Sequence, residues 1–333
     1  MGYSISVLNN IRANASDEYQ ARIPEATREN FATIGIALQT YTLLQNEFID
    51  ALVNKIGKTI LETKLFDNKL ARFKSGAMTS AQDVEEIFIE MASAEGRYDK
   101  TGPNPLGRRE LPDVKTLYHR LNRQDYYAVS IGDVDFIRVF RSEETLDSFI
   151  SGLINSIYSG ANYDEWVAMK NLLAEYGEKY FDYEVPVISA ATAAEDAKTF
   201  VKTLRKAVND LSFASTEYNG AGVKTWSEPS NLVLLVNKDV VAEVDVEVLA
   251  KAFNMGKTDI ETTVITMDDF GTLTDTYALL VDKDFFRIWD TLSHMEPQRN
   301  AQGLFTNYFY HVHQILSLSL FKNAVRFKAV AKA

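Results

Sequence analysis

Apolar residues change their period along this chain, and the change commits it to a mixed fold. Between residues 142 and 211 they recur every three to four positions. Leu146, Phe149, Ile150, Leu153, Ile154 and Ile157 stand at i, i+3, i+4, i+7, i+8 and i+11, a single stripe. This predicts a helix over residues 142–160, with Ser142 as its cap and Glu143 and Glu144 at its positive end. A second helix is expected over 164–176, with Trp166, Met169, Leu172, Leu173 and Tyr176 inward. A third is expected over 192–211, where Thr192 and Glu195 make a capping box and Ala197, Phe200, Val201, Leu204 and Val208 form the stripe. From residue 230 the runs become strand-sized: 231–236, 262–267 and 277–281, with short helices expected at 246–253 and 282–292. Residues 308–327 read as β, because Leu316, Leu318 and Leu320 alternate with Ser317 and Ser319. No repeat or low-complexity linker separates the two regimes. The expected class is therefore α+β, with subdomains that share strands.

The first 141 residues are less regular. Residues 1–26, with Asn9, Asn10, Asn14, Ser16 and Asp17, read as a polar arm that something else must order. Residues 40–56 read as an amphipathic helix through Tyr41, Leu44, Phe48 and Leu52, stopped by Gly57. A short helical piece is expected over 81–91, with Val84, Ile87, Phe88 and Met91 on one side. Gly96, Gly102, Pro103, Pro105 and Gly107 then mark the turn-rich tip of a long excursion. Such an excursion is either a flexible insertion or packs on something outside the monomer. Its charges are mixed and carry tyrosines, which suits a polar protein–protein contact or a solvated face better than a nucleic-acid patch. The candidate inter-subunit contacts are Arg97, Tyr98, Asp99, Lys100, Arg108, Arg109 and Glu110.

Chemistry is sparse. The chain has no cysteine, which excludes disulfides, thiolate catalysis and cysteine metal sites. Its 333 residues, 46% hydrophobic and 24% charged, fit an ordinary globular chain of about two domains. A net charge of −11 argues against a dedicated nucleic-acid reader. No apolar run approaches the roughly 18–20 residues of a membrane span, and no signal peptide is visible. A myristoylation-like start at Gly2 and a sequon at Asn14 read as chance. Asn219–Gly220–Ala221–Gly222–Val223–Lys224–Thr225 echoes a phosphate loop, but Val223 separates glycine from lysine, so a surface turn is expected. His311 and His313 share a strand face and could ligate a metal; packed or interface histidines are the favoured reading. Asp268 and Asp269 read as a turn, and Asp282 as the N-cap of a helix over 285–292. No catalytic, cofactor or metal residue is assigned. An enzyme built from distant carboxylates and histidines stays open as the alternative.

Four blocks carry a resemblance: residues 109–124 (Arg109 to Gln124), 243–254 (Glu243 to Asn254), 280–286 (Leu280 to Phe286) and 310–314 (Tyr310 to Gln314). Residues 43–57, Arg72–Phe73–Lys74–Ser75–Gly76, Glu85–Glu86–Ile87, Met295–Glu296, Arg299–Asn300, Gly303–Leu304 and Asn323–Ala324–Val325 match in the same order. Together they resemble the major capsid proteins of small podophages of the phi-twenty-nine type. The resemblance implies the Johnson fold of tailed-phage capsids. It divides the chain into an N-terminal arm and helix (1–61), the extended loop and its base (62–141), spine and peripheral-domain helices (142–184), an axial domain (185–303) and returning peripheral strands (304–333). It implies no catalysis and no cofactor. It also implies self-assembly into pentamers and hexamers of an icosahedral or prolate head around double-stranded DNA, in the host cytoplasm. Scaffolding protein and portal are the expected assembly partners, packaged DNA a weak non-specific one, and membrane none. Some relatives carry a C-terminal immunoglobulin-like domain, which a chain ending at Ala333 is expected to lack. The lysine–asparagine cross-link of some other members is not assigned. A bacterial encapsulin-like compartment shell is the alternative within the fold.

Overall fold

The computed structural model describes residues 3–41, 43–48, 51, 66–78, 83–92, 113–132, 152, 155–188, 193–243 and 264–331. These form two main sheets and a separate two-stranded ribbon.

The larger sheet is built where the sequence runs apolar. Strands β5 (Phe181–Pro186), β6 (Leu232–Asn237), β7 (Val264–Met267), β8 (Thr276–Asp282) and β11 (Ala324–Val330) pair in the order β5-β11-β8-β6-β7. Leu232 to Val236 are all buried, so both faces of this strand are covered. Leu232, Leu234 and Val236 pack under helix α5 (Ala193–Leu211) with Phe200, Val201, Leu204 and Val208. Val233 and Leu235 pack on the other face under α4 (Gly160–Tyr176), with Trp166, Met169 and Leu173. The helical stripes read in 164–176 and 192–211 are therefore the two covers of one sheet. Leu234→Ala should lower stability by about 2–5 kcal/mol, since the site is sealed on both sides; the urea midpoint of unassembled protein measures it.

The second sheet, order β1-β9-β10-β4, joins β1 (Gly76–Ala77), β4 (Arg123–Gly132), β9 (Phe286–Asn300) and β10 (Phe305–Leu318). One face buries Ile131, Tyr308 and Met295 against the N-terminal helices and Ile157. The ribbon is β2 (Val84–Ile89) against β3 (Val114–His119), antiparallel, with Val84 opposite His119 and Ile89 opposite Val114.

Several expectations change. Of the arm expected over 1–26, the described residues 3–26 are not a free polar arm. They fold as α1 (Tyr3–Asn14) and α2 (Asp17–Arg22), because Ile5, Leu8 and Ile11 at three-residue spacing, joined by Tyr19 and Ile23, enter the core among the asparagines. Ahead of the helix read from residue 40, α3 (Phe31–Thr40) forms. Residues 43–48 are helical too, with Leu44 and Phe48 buried. Residues 84–89 are strand, not helix. Val84, Ile87 and Phe88 stand at helical spacing, but the segment is rich in β-branched and aromatic residues and pairs with β3, which puts Ile87 on the opposite face from Val84 and Phe88. The helix expected over 282–292 is a single 3-10 turn, Lys283–Phe285, followed by the fifteen-residue β9. Asp282 makes no cap there. Gly160 does not stop a helix: a π-helical turn, Asn155–Ser159, runs straight into α4. The rest of the 142–160 stripe, the cap at Thr192 and the 246–253 helix lie outside the described residues.

Candidate assembly hinge

The ribbon is the one element that stands apart from both sheets, and its two faces differ. Alternation puts Val84, Glu86 and Phe88 with Lys115, Leu117 and His119 on the inner face. Glu85, Ile87 and Ile89 with Val114, Thr116 and Tyr118 form the outer face. Ile87, Ile89, Val114 and Tyr118 are exposed, Ile89 at 61% and Tyr118 at 56%. An apolar strip of this kind on a ribbon is an invitation to a partner.

The inner face is anchored by a polar cluster. The Glu86 carboxylate accepts hydrogen bonds from Arg287 Nη2 at 2.8 Å and from Ser319 Oγ at 2.9 Å on one oxygen. Its other oxygen faces His119 Nε2 at 3.1 Å. The opposite ring nitrogen of His119 meets the Ser317 hydroxyl. An ionised carboxylate only accepts, so Nε2 of His119 carries a proton toward Glu86. In the neutral ring Nδ1 then accepts from Ser317. His119 is almost fully buried. Burial by itself pushes the Glu86 carboxyl up. The hydrogen bonds from His119, Arg287 and Ser319 and the Arg287 charge outweigh it, and hold the group near 2 instead of the usual 4.5. Phe88 adds an apolar clamp on Phe321, ring centroids 5.5 Å apart. Strands β2 and β3 are thus tied to the start of β9 and the end of β10.

A second buried network fixes α4 to the β1–β9–β10–β4 sheet. Lys74 Nζ pairs with Glu165 at 2.7 Å and with Asp290 at 3.2 Å. Gln314 Nε2 donates to Asp290 at 2.6 Å, and Arg123 Nη1 donates to the Gln314 amide oxygen at 2.6 Å. Arg123 also reaches Asp125 and the Tyr127 hydroxyl, which donates to Asp164 at 2.7 Å. A groove of about 280 Å³ lies between the ribbon and α4, lined by Leu117, His119, Leu172, Glu175 and Lys179 among others.

The remaining sequence candidates fall in place as structure. Arg97, Tyr98, Asp99, Lys100, Arg108, Arg109 and Glu110 lie outside the described residues, in the segment that connects the ends of β2 and β3. His311 sits opposite His294 on β9 and Tyr126 on β4, and His313 opposite Leu292 and Gln124. Among the described residues no group of three or more histidines and carboxylates is arranged to hold a metal. The 219–225 segment is a closed turn: Asn219 donates to Val223 O at 2.7 Å and accepts from Val223 N at 2.9 Å. At Gly220 a Cβ would stand 2.8 Å from the Tyr176 hydroxyl, so the loop is packed down and not open to a phosphate. Asp268 and Asp269 pair with Lys170, and Asp269 caps the turn at Gly271 N. The Asp282 carboxylate, its pKa raised by burial, accepts from Ser227 and from Asn323 N. It brackets two loops instead of capping a helix. Among the described residues no helix is long and apolar enough to cross a membrane.

Sequence reading named none of the cluster residues as a site, because they are far apart in the chain: Glu86 and Ser319 are separated by 233 positions. The alternation of Ser317 and Ser319 with leucines, and the matched words that hold Glu86 and His119, were the visible signs.

Comparison with known proteins agrees with a shell subunit. The family model described as Phi29-like phage major capsid protein matches residues 8–328. The chain is 38% identical over 327 residues to the major capsid protein of Bacillus phage B103, an alignment covering 97% of this chain and 72% of that protein. It is 30% identical to the major capsid protein of Streptococcus phage Cp-1, covering 96% of this chain and 93% of that one. The fold is similar to a chain in the capsid structure of Staphylococcus phage Andhra, with a TM-score of 0.65, 12% identity, and 82% and 87% of the two chains covered.

Proposed function

Since the chain belongs to the Phi29-like phage major capsid protein family, we propose how its parts divide the work of building a shell. The protein is a structural major capsid protein, a component of the virion that assembles with copies of itself, and not an enzyme. The ribbon and its connecting segment 90–113 form an extended loop that lies on the neighbouring copy. One observation carries this reading. The ribbon's inner face is locked to its own subunit, while Ile87, Ile89, Val114 and Tyr118 on the outer face are exposed among the described residues. Arg97, Tyr98, Asp99, Lys100, Arg108, Arg109 and Glu110 extend that contact. Heterologous contacts of this kind close around five-fold and six-fold axes, so each can be modest.

The five-stranded sheet with α5 supplies the axial domain proposed for 185–303, joined by β5 and β11 from the flanking segments. The β1–β9–β10–β4 sheet, with the N-terminal helices of 1–61 and the helices of 142–184, supplies the peripheral part. The β9–β10 hairpin straddles the 303/304 border and ties the two segments together. The shell encloses a double-stranded DNA genome and forms in the host cytoplasm. Scaffolding protein and a portal serve as partners during assembly, and DNA touches the wall only weakly. The relatives at 37–38% identity are phage capsid proteins, and nothing favours the encapsulin-like alternative.

The experiment is light scattering after size exclusion, followed by negative-stain electron microscopy, with and without co-expressed scaffold candidates. Closed shells, tubes or five- and six-fold rings are expected from the wild type. Ile89→Lys should leave the unfolding free energy within about 0.5 kcal/mol, as an exposed site, and raise the concentration needed for assembly at least tenfold. Normal assembly of that variant would remove the outer face from the interface.

A further inference from the structure

The two helices that cover the five-stranded sheet present opposite charge. On one side α4 exposes Asp164 and Glu175, Glu178 follows it, and Asp268 and Asp269 lie alongside. On the other side α5 exposes Lys198, Lys202, Arg205 and Lys206 on the face away from Phe200, Leu204 and Val208. Lys198, Lys202 and Lys206 recur every four residues, about 6 Å per step along the axis. Arg205 stands beside them, one turn from Lys202. Lys198 and Lys202 make no ion pair among the described residues. The Lys206 ammonium sits 6.0 Å above the Tyr183 ring. The acids on this side gather at the helix start, where Glu184, Glu195 and the buried Asp196 line one groove; Asp239 on the adjoining α6 (Lys238–Glu243) is exposed, and Asp210 is engaged by the Tyr183 hydroxyl.

Lys198, Lys202 and Lys206, like charges along two turns, repel one another. The chain as a whole carries a net charge of −11, opposite in sign to this face. An anion from outside the subunit relieves the repulsion. A wall around duplex DNA has one polyanionic side, and a row of cations spaced along a helix meets successive phosphates without reading bases. We infer that the exposed face of α5 looks into the lumen and contacts the phosphates of the packaged duplex. This rests on the reading that the shell encloses double-stranded DNA. About three phosphate contacts give binding that falls about forty-fold between 50 and 200 mM salt, weak enough for a genome that must leave again. The acidic α4 side then faces away from the DNA.

Two measurements test it. The first is fluorescence anisotropy of a labelled random-sequence duplex with the full-length unassembled chain across a salt series. The wild type should bind with that steep salt dependence. The triple variant Lys198→Glu/Lys202→Glu/Lys206→Glu should bind at least tenfold more weakly at 50 mM with a shallower slope, and keep the wild-type unfolding midpoint because the sites are exposed. Lys179→Glu, beside the acidic helix, should bind as the wild type. Equal binding by the triple variant overturns the inference. So does a triple variant that keeps its duplex affinity and loses shell formation, since the face then serves a protein partner. The second measurement is amine labelling with a dextran-coupled reagent too large to cross the wall. Lys198 and Lys202 should react in free protein and be protected in closed shells, and reaction of both in shells places the face outside. A wild type that binds duplex but never forms shells fails the capsid reading instead, so the two failures are distinct.

Discussion

Glu86→Ala should detach the ribbon from its own subunit. The change removes the carboxylate shared by Arg287, Ser319 and His119. Their side chains are largely buried, His119 almost completely, so water cannot fully replace what is lost. Removing one partner from a buried charge pair costs about 3–5 kcal/mol. Because the ribbon is joined to the body chiefly through its inner face, the cost appears as local opening before global unfolding. Amide exchange in β2 and β3 should therefore speed up about a hundred- to a thousand-fold, while the five-stranded sheet stays protected. Glu86→Gln keeps one acceptor oxygen and should lose less. Unchanged protection of Val84–Ile89 in Glu86→Ala would show that the cluster does not hold the ribbon.

The same carboxylate predicts a pH window. Its pKa is lower in the folded protein, near 2, than the usual 4.5. Folding therefore favours the ionised form, and the stabilisation is complete above 4.5. It is lost as pH falls from about 4.5 through 2. Ribbon protection measured at pH 7 should persist to about pH 5 and decline below that. Glu86→Gln should remove the decline.

The legible parts of this fold are those where one period dominates. Trp166, Met169 and Leu173, and likewise Phe200, Leu204 and Val208, could be read as buried helix faces because their spacing fits no other element. The run from Leu232 to Val236 was legible as a strand for its length and composition. Residues 84–89 were not, since Val84, Ile87 and Phe88 stand at helical spacing, while pairing with β3 sets Ile87 on the face opposite the other two. The β9 strand was hidden behind Asp282, whose place before Phe285 looks like a cap until Asn323 and Ser227 claim its carboxylate. The hinge was invisible for a different reason. Glu86, His119, Arg287 and Ser319 come from four strands or strand ends, and no local spacing records a contact made by tertiary folding. The family resemblance is the source of the role proposed for the excursion, and the structure shows how the ribbon at its base is anchored.

Deleting residues 96–107 should abolish shells without unfolding the subunit. The deleted residues lie outside the described ones, between the ends of β2 and β3. The ribbon does not depend on them. Its ladder runs from Val84–His119 to Ile89–Val114, extended by the Glu90 N to Asp113 O hydrogen bond at 2.9 Å, and Lys115 pairs with Glu90 at 2.9 Å. Shortening a connection costs little, since closure entropy varies slowly with loop length. The unfolding midpoint should therefore match the wild type, and amide protection in β2 and β3 should be kept. Assembly should be lost outright, because every subunit in a ring loses the same contact and the small losses add around the ring. The comparison with Glu86→Ala separates reach from anchorage: one variant keeps the anchor and loses the tip, the other keeps the tip and loses the anchor. If the deletion variant forms shells of normal size and yield, the ribbon is surface decoration and the contact that closes the shell must be sought on the outer face of the β9–β10 hairpin, where His294 and His311 stand opposite each other.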